Sequence, residues 1–350
     1  VSPGAREAAF GSTPHRIPRA AVEPEERWLV AVALGGQGHY AAAATELERL
    51  TADPAVPHRV AAHAAVTRAA HLRQLGGHAA ARSWDARGLR LAVAAGGAAP
   101  DRGSARGGSP GGRGTPGGGV AGAGLAGAAP CAGADTGSDD GTDAAAARID
   151  ALVGLAADAI GLGDPTGAER LLAAAAPALA AHPSWRPATR ACWVRAELAL
   201  VLGRPAEALA PAEAALAAAG RGGSRRHVLK SRIVLAVARS AAGVMTPAAA
   251  VTELDAAAAE CAGLGLLPLC WPAGLAALDL TPLPAAKPQV RINEQVASPA
   301  GTALGGRPDG MTRRRHAVHA ALNVIEQRSD ALGKRQMGES VWIPQRATLM

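Results

Sequence analysis

The sequence predicts an all-α protein built of stacked helix pairs. Three observations carry this reading: a core composition dominated by alanine, a glycine that recurs at nearly constant spacing, and an alanine at fixed distances on both sides of each such glycine. Of the 350 residues, 49% are hydrophobic, yet Phe10 and Tyr40 are alone of their kinds. Alanine is the best helix former and a poor strand former. A core of such small side chains implies helices packed close together.

The recurring glycines are Gly38, Gly76, Gly163, Gly203 and Gly243, spaced 38, 87, 40 and 40 residues apart. Seven residues before them stand Ala31, Ala69, Ala156, Ala196 and Ala236, and five after them Ala43, Ala81, Ala168, Ala208 and Ala248. Each glycine is expected to end a first helix by adopting a left-handed backbone cheaply. The two alanines then let the paired helices approach. Pro165, Pro205 and Pro247 fit the first position of a second helix, where the missing N–H costs nothing. Asp164 and Thr246, just before two of them, are expected N-caps. Periods of this length signal helical repeats.

Elsewhere the pattern fails. Val1–Val22 is polar and Pro-containing, 96–142 is dominated by glycine, and 281–311 is interrupted by Pro and Gly. The expected order is a disordered N-terminus (1–22), repeats 1–2 (23–95), a disordered Gly-rich insertion (96–142), repeats 3–5 (143–280), a linker (281–311), and a C-terminal helix with a basic tail (312–350). A repeat array tolerates such an insertion because each unit contacts only its neighbours. As a candidate membrane span the Ala-rich run Leu171–Ala181 is too short, interrupted by Pro177 and ended by Pro183. In the tail, Val318, Ala321, Leu322 and Ile325 form one apolar stripe, which predicts a single helix over Thr312–Leu332.

Small residues on either side of a turn glycine resemble the tetratricopeptide repeat. The segment Gly38–Pro54, with Tyr40, Ala43, Leu47 and Pro54, matches it most closely. The resemblance spans about Glu25–Ala95 and Ala144–Leu278 and is degenerate. The period is nearer 40 than 34, and Arg195, Arg232 and Arg239 fall where that family has core residues. The resemblance implies an α-α superhelix of about five helix pairs that binds a protein or peptide segment in its concave groove. Arg313–Pro344 is similar to the C-terminus of uncharacterised actinobacterial proteins of this repeat type, which implies a capping element anchored by Trp342 and Ile343.

Carrying the family's groove positions over yields candidate partner-binding residues. Glu25, His63, Asp150, Arg190 and Lys230 lie 13 residues before the glycines, Trp28 and Trp193 lie 10 before, and Glu197 lies 6 before. Tryptophans in a groove are good anchors for a partner; both can equally pack against the neighbouring repeat.

The net charge is +7, of which the stretch from Thr281 onwards contributes +5, from ten Lys and Arg against five acidic residues. A second reading is therefore a regulatory or nucleic-acid-associated protein acting through the basic C-terminal segment. The clusters Arg221–Arg232 and Arg313–His316 could meet phosphate, but neither carries the interleaved aromatics of a single-strand binder. A solvated helix entrance accounts for both. The first 26 residues have three arginines and no apolar leader, and no stretch has the roughly 18 apolar residues of a membrane span, so a cytoplasmic location is expected.

Chemical motifs are weak. Gly122-x-Gly124-x-x-Gly127 lacks the preceding strand of a dinucleotide site. In Gly107-x-Ser109-x-Gly111, Pro110 cannot donate the N–H an oxyanion hole needs. His71 and His78, like His316 and His319, share a helix face and make at most half a metal site. The four cysteines, Cys131, Cys192, Cys261 and Cys270, read as reduced small hydrophobes. No enzyme activity, cofactor or metal is expected.

Overall fold

A computed structural model describes residues 3–17, 21–97, 140–281 and 309–344. Among these residues the chain is all-α, with fourteen helices and no strand. They are α1 (Pro3–Phe10), α2 (Pro24–Gly36), α3 (Tyr40–Ala52), α4 (His58–Gln74), α5 (His78–Gly97), α6 (Ala144–Gly161), α7 (Pro165–Ala181), α8 (Trp185–Val201), α9 (Pro205–Arg221), α10 (Arg225–Ala241), α11 (Pro247–Gly263), α12 (Leu267–Asp279), α13 (Gly310–Gln327) and α14 (Ala331–Glu339).

The five marker glycines lie at the turns α2–α3, α4–α5, α6–α7, α8–α9 and α10–α11, all with φ between 68° and 80°. That conformation is costly for any residue with a Cβ. Pro165, Pro205 and Pro247 open α7, α9 and α11. Asp164 Oδ1 accepts from the Gly167 amide at 2.7 Å and Thr246 Oγ1 from the Ala249 amide at 3.3 Å, so both caps form. Nine of the ten flanking alanines are buried. The tenth, Ala248, is exposed, because the α10–α11 turn is two residues longer than the α6–α7 and α8–α9 turns. The extra residues shift the register, and Ala250 takes the buried place.

Each helix packs on the next in sequence. The first helices of successive pairs also touch one another, α2 with α4, α4 with α6, α6 with α8, α8 with α10 and α10 with α12. They therefore share one inner face.

Several expectations are corrected. The N-terminal segment is not without structure: α1 forms there, with Ala5, Ala8, Ala9 and Phe10 buried against α2 and α10. A single phenylalanine and three alanines suffice, since neighbours already present the apolar surface. Helix α7 continues through Pro177 to Ala181. Packing of Leu172 and Ala175 between α6 and α8 outweighs the lost backbone hydrogen bond. The tail holds two helices rather than one, since Asp330 caps a new helix through the Gly333 amide at 2.8 Å. His71 and His78 share no helix; the Gly76 turn separates them. The two glycine motifs, Cys131, most of the Gly-rich insertion and most of the linker lie outside the described residues.

The tail packs on the helix pairs, between the first of them and α12. Val318, Leu322, Ile325, Met337 and Ile343 bury themselves with Tyr40 of α3 and Leu75, beside Leu267 and Trp271 of α12. Ile343 is buried, whereas Trp342 is half exposed and donates its indole N–H to the Gly161 carbonyl at 3.3 Å. No described helix is long and apolar enough to cross a membrane.

Candidate functional site

The inner face holds a cavity of about 170 Å³. Its walls come from the first helices α2, α4, α6, α8 and α10, with Phe10 of α1 and Pro268 and Leu269 of α12. Five of the expected groove residues line it: Trp28, Arg190, Trp193, Glu197 and Lys230. Glu25, His63 and Asp150 do not. Glu25 sits at the edge, paired with Arg59 at 2.7 Å and with Arg6 of α1 at 3.8 Å.

The two tryptophans are wall elements. Trp28 is 1% exposed; its indole N–H donates to Thr67 Oγ1 at 2.9 Å and its ring stacks on His63 at 4.6 Å. Trp193 is 8% exposed; it donates to Ser231 Oγ at 2.9 Å and stacks on His227 at 5.4 Å. Both thus pack against the following repeat, and both turn part of a ring to the cavity. Phe10 sits 5.9 Å from Trp28, with the Arg186 guanidinium 5.2 Å from its ring.

Charge is the second feature. Asp150, fully buried, is held below the usual carboxylate range because the Arg186 and Arg190 charges outweigh the opposing effect of its burial. Arg186 donates to it at 2.5 Å and Arg190 lies 3.2 Å away. The rest of Arg186 clamps the end of the Gly-rich insertion, donating to Asp140 O at 2.7 Å and Gly141 O at 2.5 Å. Arg73 bridges two fully buried carboxylates, Asp158 at 2.8 Å and Asp85, and also donates to Gly154 O at 3.1 Å. Gly154 is needed here: a Cβ on it would lie 2.2 Å from Asp85 Oδ2. Burial pushes the Asp85 pKa up, although Arg73 opposes it. Lys230 stands 4.4 Å over the Trp193 ring and 3.7 Å from Glu197; at 37% and 40% exposure these last two mark the mouth.

Arg226 is different. Among the described residues no carboxylate lies within ion-pair distance of it; its one hydrogen bond goes to the Val32 carbonyl at 3.3 Å. Gly36 leaves room for its guanidinium, since a Cβ there would approach Nη1 to 3.0 Å. Burial and the neighbouring Arg190 and Arg186 charges pull its pKa down to about 10. The same causes, burial first, lower the pKa values of Arg190 and Lys230, against the pull of Asp150 and Glu197 respectively. Burial also keeps three histidines neutral: His63, lowered to about 4, His71, lowered to about 3, and His227, lowered well below its ordinary value.

Sequence reasoning missed Arg73 and Arg186, and it had Arg226 and His227 only as members of the basic cluster Arg221–Arg232. The cluster Arg221–Arg232 is a solvated entrance only in part: Arg221 and Arg225 are exposed, and Arg225 and Arg232 pair with Glu260, whereas Arg226, His227 and Lys230 line the cavity. A signal was present. Arg186 and Arg226 both stand 17 residues before their turn glycines, about one helical turn ahead of Arg190 and Lys230. Extending the count by that turn finds them. Nothing in the pattern marks Arg73 or Asp85. In the tail, Arg314 is bidentate to Asp255 at 2.8 and 2.6 Å.

No known protein family matches the chain, and no characterised protein does.

Proposed function

We propose that this chain is a helical-repeat binding protein, tetratricopeptide-like in design, that receives a segment of a partner protein at its inner face. The observation that carries the reading is the cavity itself. It is lined by side chains from five successive first helices, and it combines aromatic walls with charged groups at a mouth. Support for the repeat type comes from the left-handed glycines at the five turns and the buried alanines beside them. At about 170 Å³ the cavity is close to the ~150 Å³ known to admit one benzene-sized molecule, so a side chain or chain end enters it rather than a length of backbone. The association of 312–350 with nucleic acid has less support, because Arg314 pairs with Asp255 and Arg328 donates to the Gln37 carbonyl.

Selection of a displayed random-peptide library on the purified chain tests the reading. Convergent peptides are expected, and Trp193→Ala weakens them at least about tenfold, as the loss of an interface anchor does. A selection without convergence, or peptides that bind Trp193→Ala unchanged, removes the proposal. Binding to random-sequence DNA that falls steeply with salt and is lost on deleting 312–350 would favour the alternative.

A further inference from the structure

We infer that helix α1 is a built-in occupant of the inner face, and that the partner segment which replaces it is itself a short helix with a small-residue face and one aromatic side chain. This rests on the inner face being the binding face. It adds the kind of segment that face takes and the contact that controls entry.

Helix α1 stands outside the repeat. The marker glycines join α2 with α3 and the helices of each later pair, while α1 lies on α2 and α10, the first helices of the first and fifth pairs. Its eight residues are too few for a helix that holds by itself, since isolated helices shorter than ~12–15 residues are marginal in water. The inner face therefore keeps α1 helical, as a groove keeps a docked peptide helical. Ala5, Ala8 and Ala9 fall at i, i+3 and i+4 and are all buried, so the docked face is a stripe of methyl groups. Phe10 goes further in. It is 3% exposed, 5.9 Å from the Trp28 ring of α2 and 6.3 Å from His227 of α10, with the Arg186 guanidinium of α8 at 5.2 Å. It also lines the cavity, which is the space left open beside it. Polar contacts hold the edges. Arg6 pairs with Asp140 at 2.7 Å, the Arg225 amide donates to the Gly11 carbonyl at 3.0 Å, and Gln37 Nε2 donates to the Pro14 carbonyl at 2.8 Å. One aromatic ring and three methyl groups make a small apolar contact. Covalent linkage to α2 holds it in place through a high effective concentration. A partner helix of like chemistry competes for the same slot, formed by Trp28, Trp185 and His227. Its apparent affinity is reduced to the fraction of chains in which α1 is unseated.

Fluorescence anisotropy of a dye-labelled synthetic peptide, Pro3–Thr13, titrated with the full chain and with its Ala9→Glu and Phe10→Ala variants, tests this. Both substitutions loosen α1 at buried positions on its docked face. Saturable binding is expected, at least about tenfold tighter to each variant than to the parent, and at least about tenfold weaker when the peptide itself carries Phe10→Ala. Arg239→Met, which only breaks the half-exposed pair with Glu213, binds as the parent does. If Phe10→Ala does not fold, Ala9→Glu gives the same reading. On the parent, peptides selected from the displayed library should carry an aromatic residue beside small ones. At saturation they should speed hydrogen exchange of the α1 amides at 7–10. Pro3–Thr13 binding that is equal on all three chains, or absent from both variants, overturns the inference, because α1 is then a fixed wall of the site. Selected peptides that bind more weakly to Ala9→Glu than to the parent overturn it too. The two proposals fail separately. Convergent peptides that leave the α1 amides protected sink this inference alone, and Pro3–Thr13 binding to the loosened chains with no convergence from the library sinks the partner-segment reading alone.

Discussion

Acid should unfold this protein well above the pH at which carboxylates titrate. His63, His71 and His227 are 2%, 4% and 4% exposed and form part of the inner packing. His63 stacks on Trp28 and pairs its Nε2 with Asp143 O at 2.9 Å; His227 packs on Trp193 and meets Trp185 edge-on at 4.9 Å. Unfolded, each imidazole takes up a proton near pH 6.5. Folded, burial holds His63 down to about 4, His71 to about 3 and His227 well below normal. Between those limits the unfolded chain binds more protons, so stability is fully present above about pH 6.5 and is lost as pH falls. Well below pH 6.5 each histidine that stays neutral in the fold contributes just over 1 kcal/mol per pH unit. A fall from about pH 6.5 to 5 then removes about 3 kcal/mol through His63 and His71, and His227 adds to it, a large part of the ~5–15 kcal/mol a domain possesses. The assay is the urea midpoint by far-ultraviolet circular dichroism at about pH 7.5, 6.5 and 5.5, on the parent and on His63→Gln. The parent midpoint should drop steeply below the second point, and the variant should lose about a third of the slope. A midpoint that stays level across the range, or a His63 resonance titrating near pH 6.5, would refute the reasoning.

Other perturbations separate the forces in the fold. Gly154→Ala places a Cβ 2.2 Å from Asp85 Oδ2 and should split the Arg73 network at a cost of about 3–5 kcal/mol, whereas Gly220→Ala, with open space around it, should gain up to about 1 kcal/mol; thermal denaturation compares them. Ala250→Leu enters a fully buried position and should cost about 1–3 kcal/mol, while Ala248→Leu, exposed, should change stability by under about 0.5 kcal/mol. Equal effects would mean the two-residue register shift in α11 is wrong. Phe10→Ala removes the aromatic anchor of α1, 3% exposed, and should cost about 3 kcal/mol in chemical denaturation. A segment without structure would show no change.

The sequence carried the helix pairs because their causes are local. A glycine that must turn left-handed, a proline at a helix start and an alanine where helices touch all leave residue-level marks, and they recur at Gly38, Gly76, Gly163, Gly203 and Gly243. The inner face was legible in part for the same reason: Trp28, Arg190, Trp193, Glu197 and Lys230 fall on register positions counted from those glycines, and all five line the cavity. Glu25, His63 and Asp150 share that register yet face other partners, since side-chain direction depends on what stands opposite.

What the sequence determined by itself was therefore the repeating unit and the side of it that turns inward. Only the tertiary structure decided that α1 folds against α2 and α10, that α13 and α14 pack with both Tyr40 and α12, and that Arg226 lacks a carboxylate among the described residues. The physical reason is range. Helix ends are set within a few residues. Arg226 meets Val32 across 194 positions, Arg68 meets Asp330 across 262, and Arg73 meets Asp158 across 85. Which charges are matched and which one is left over is a property of distant helices brought together, and no window of sequence contains it.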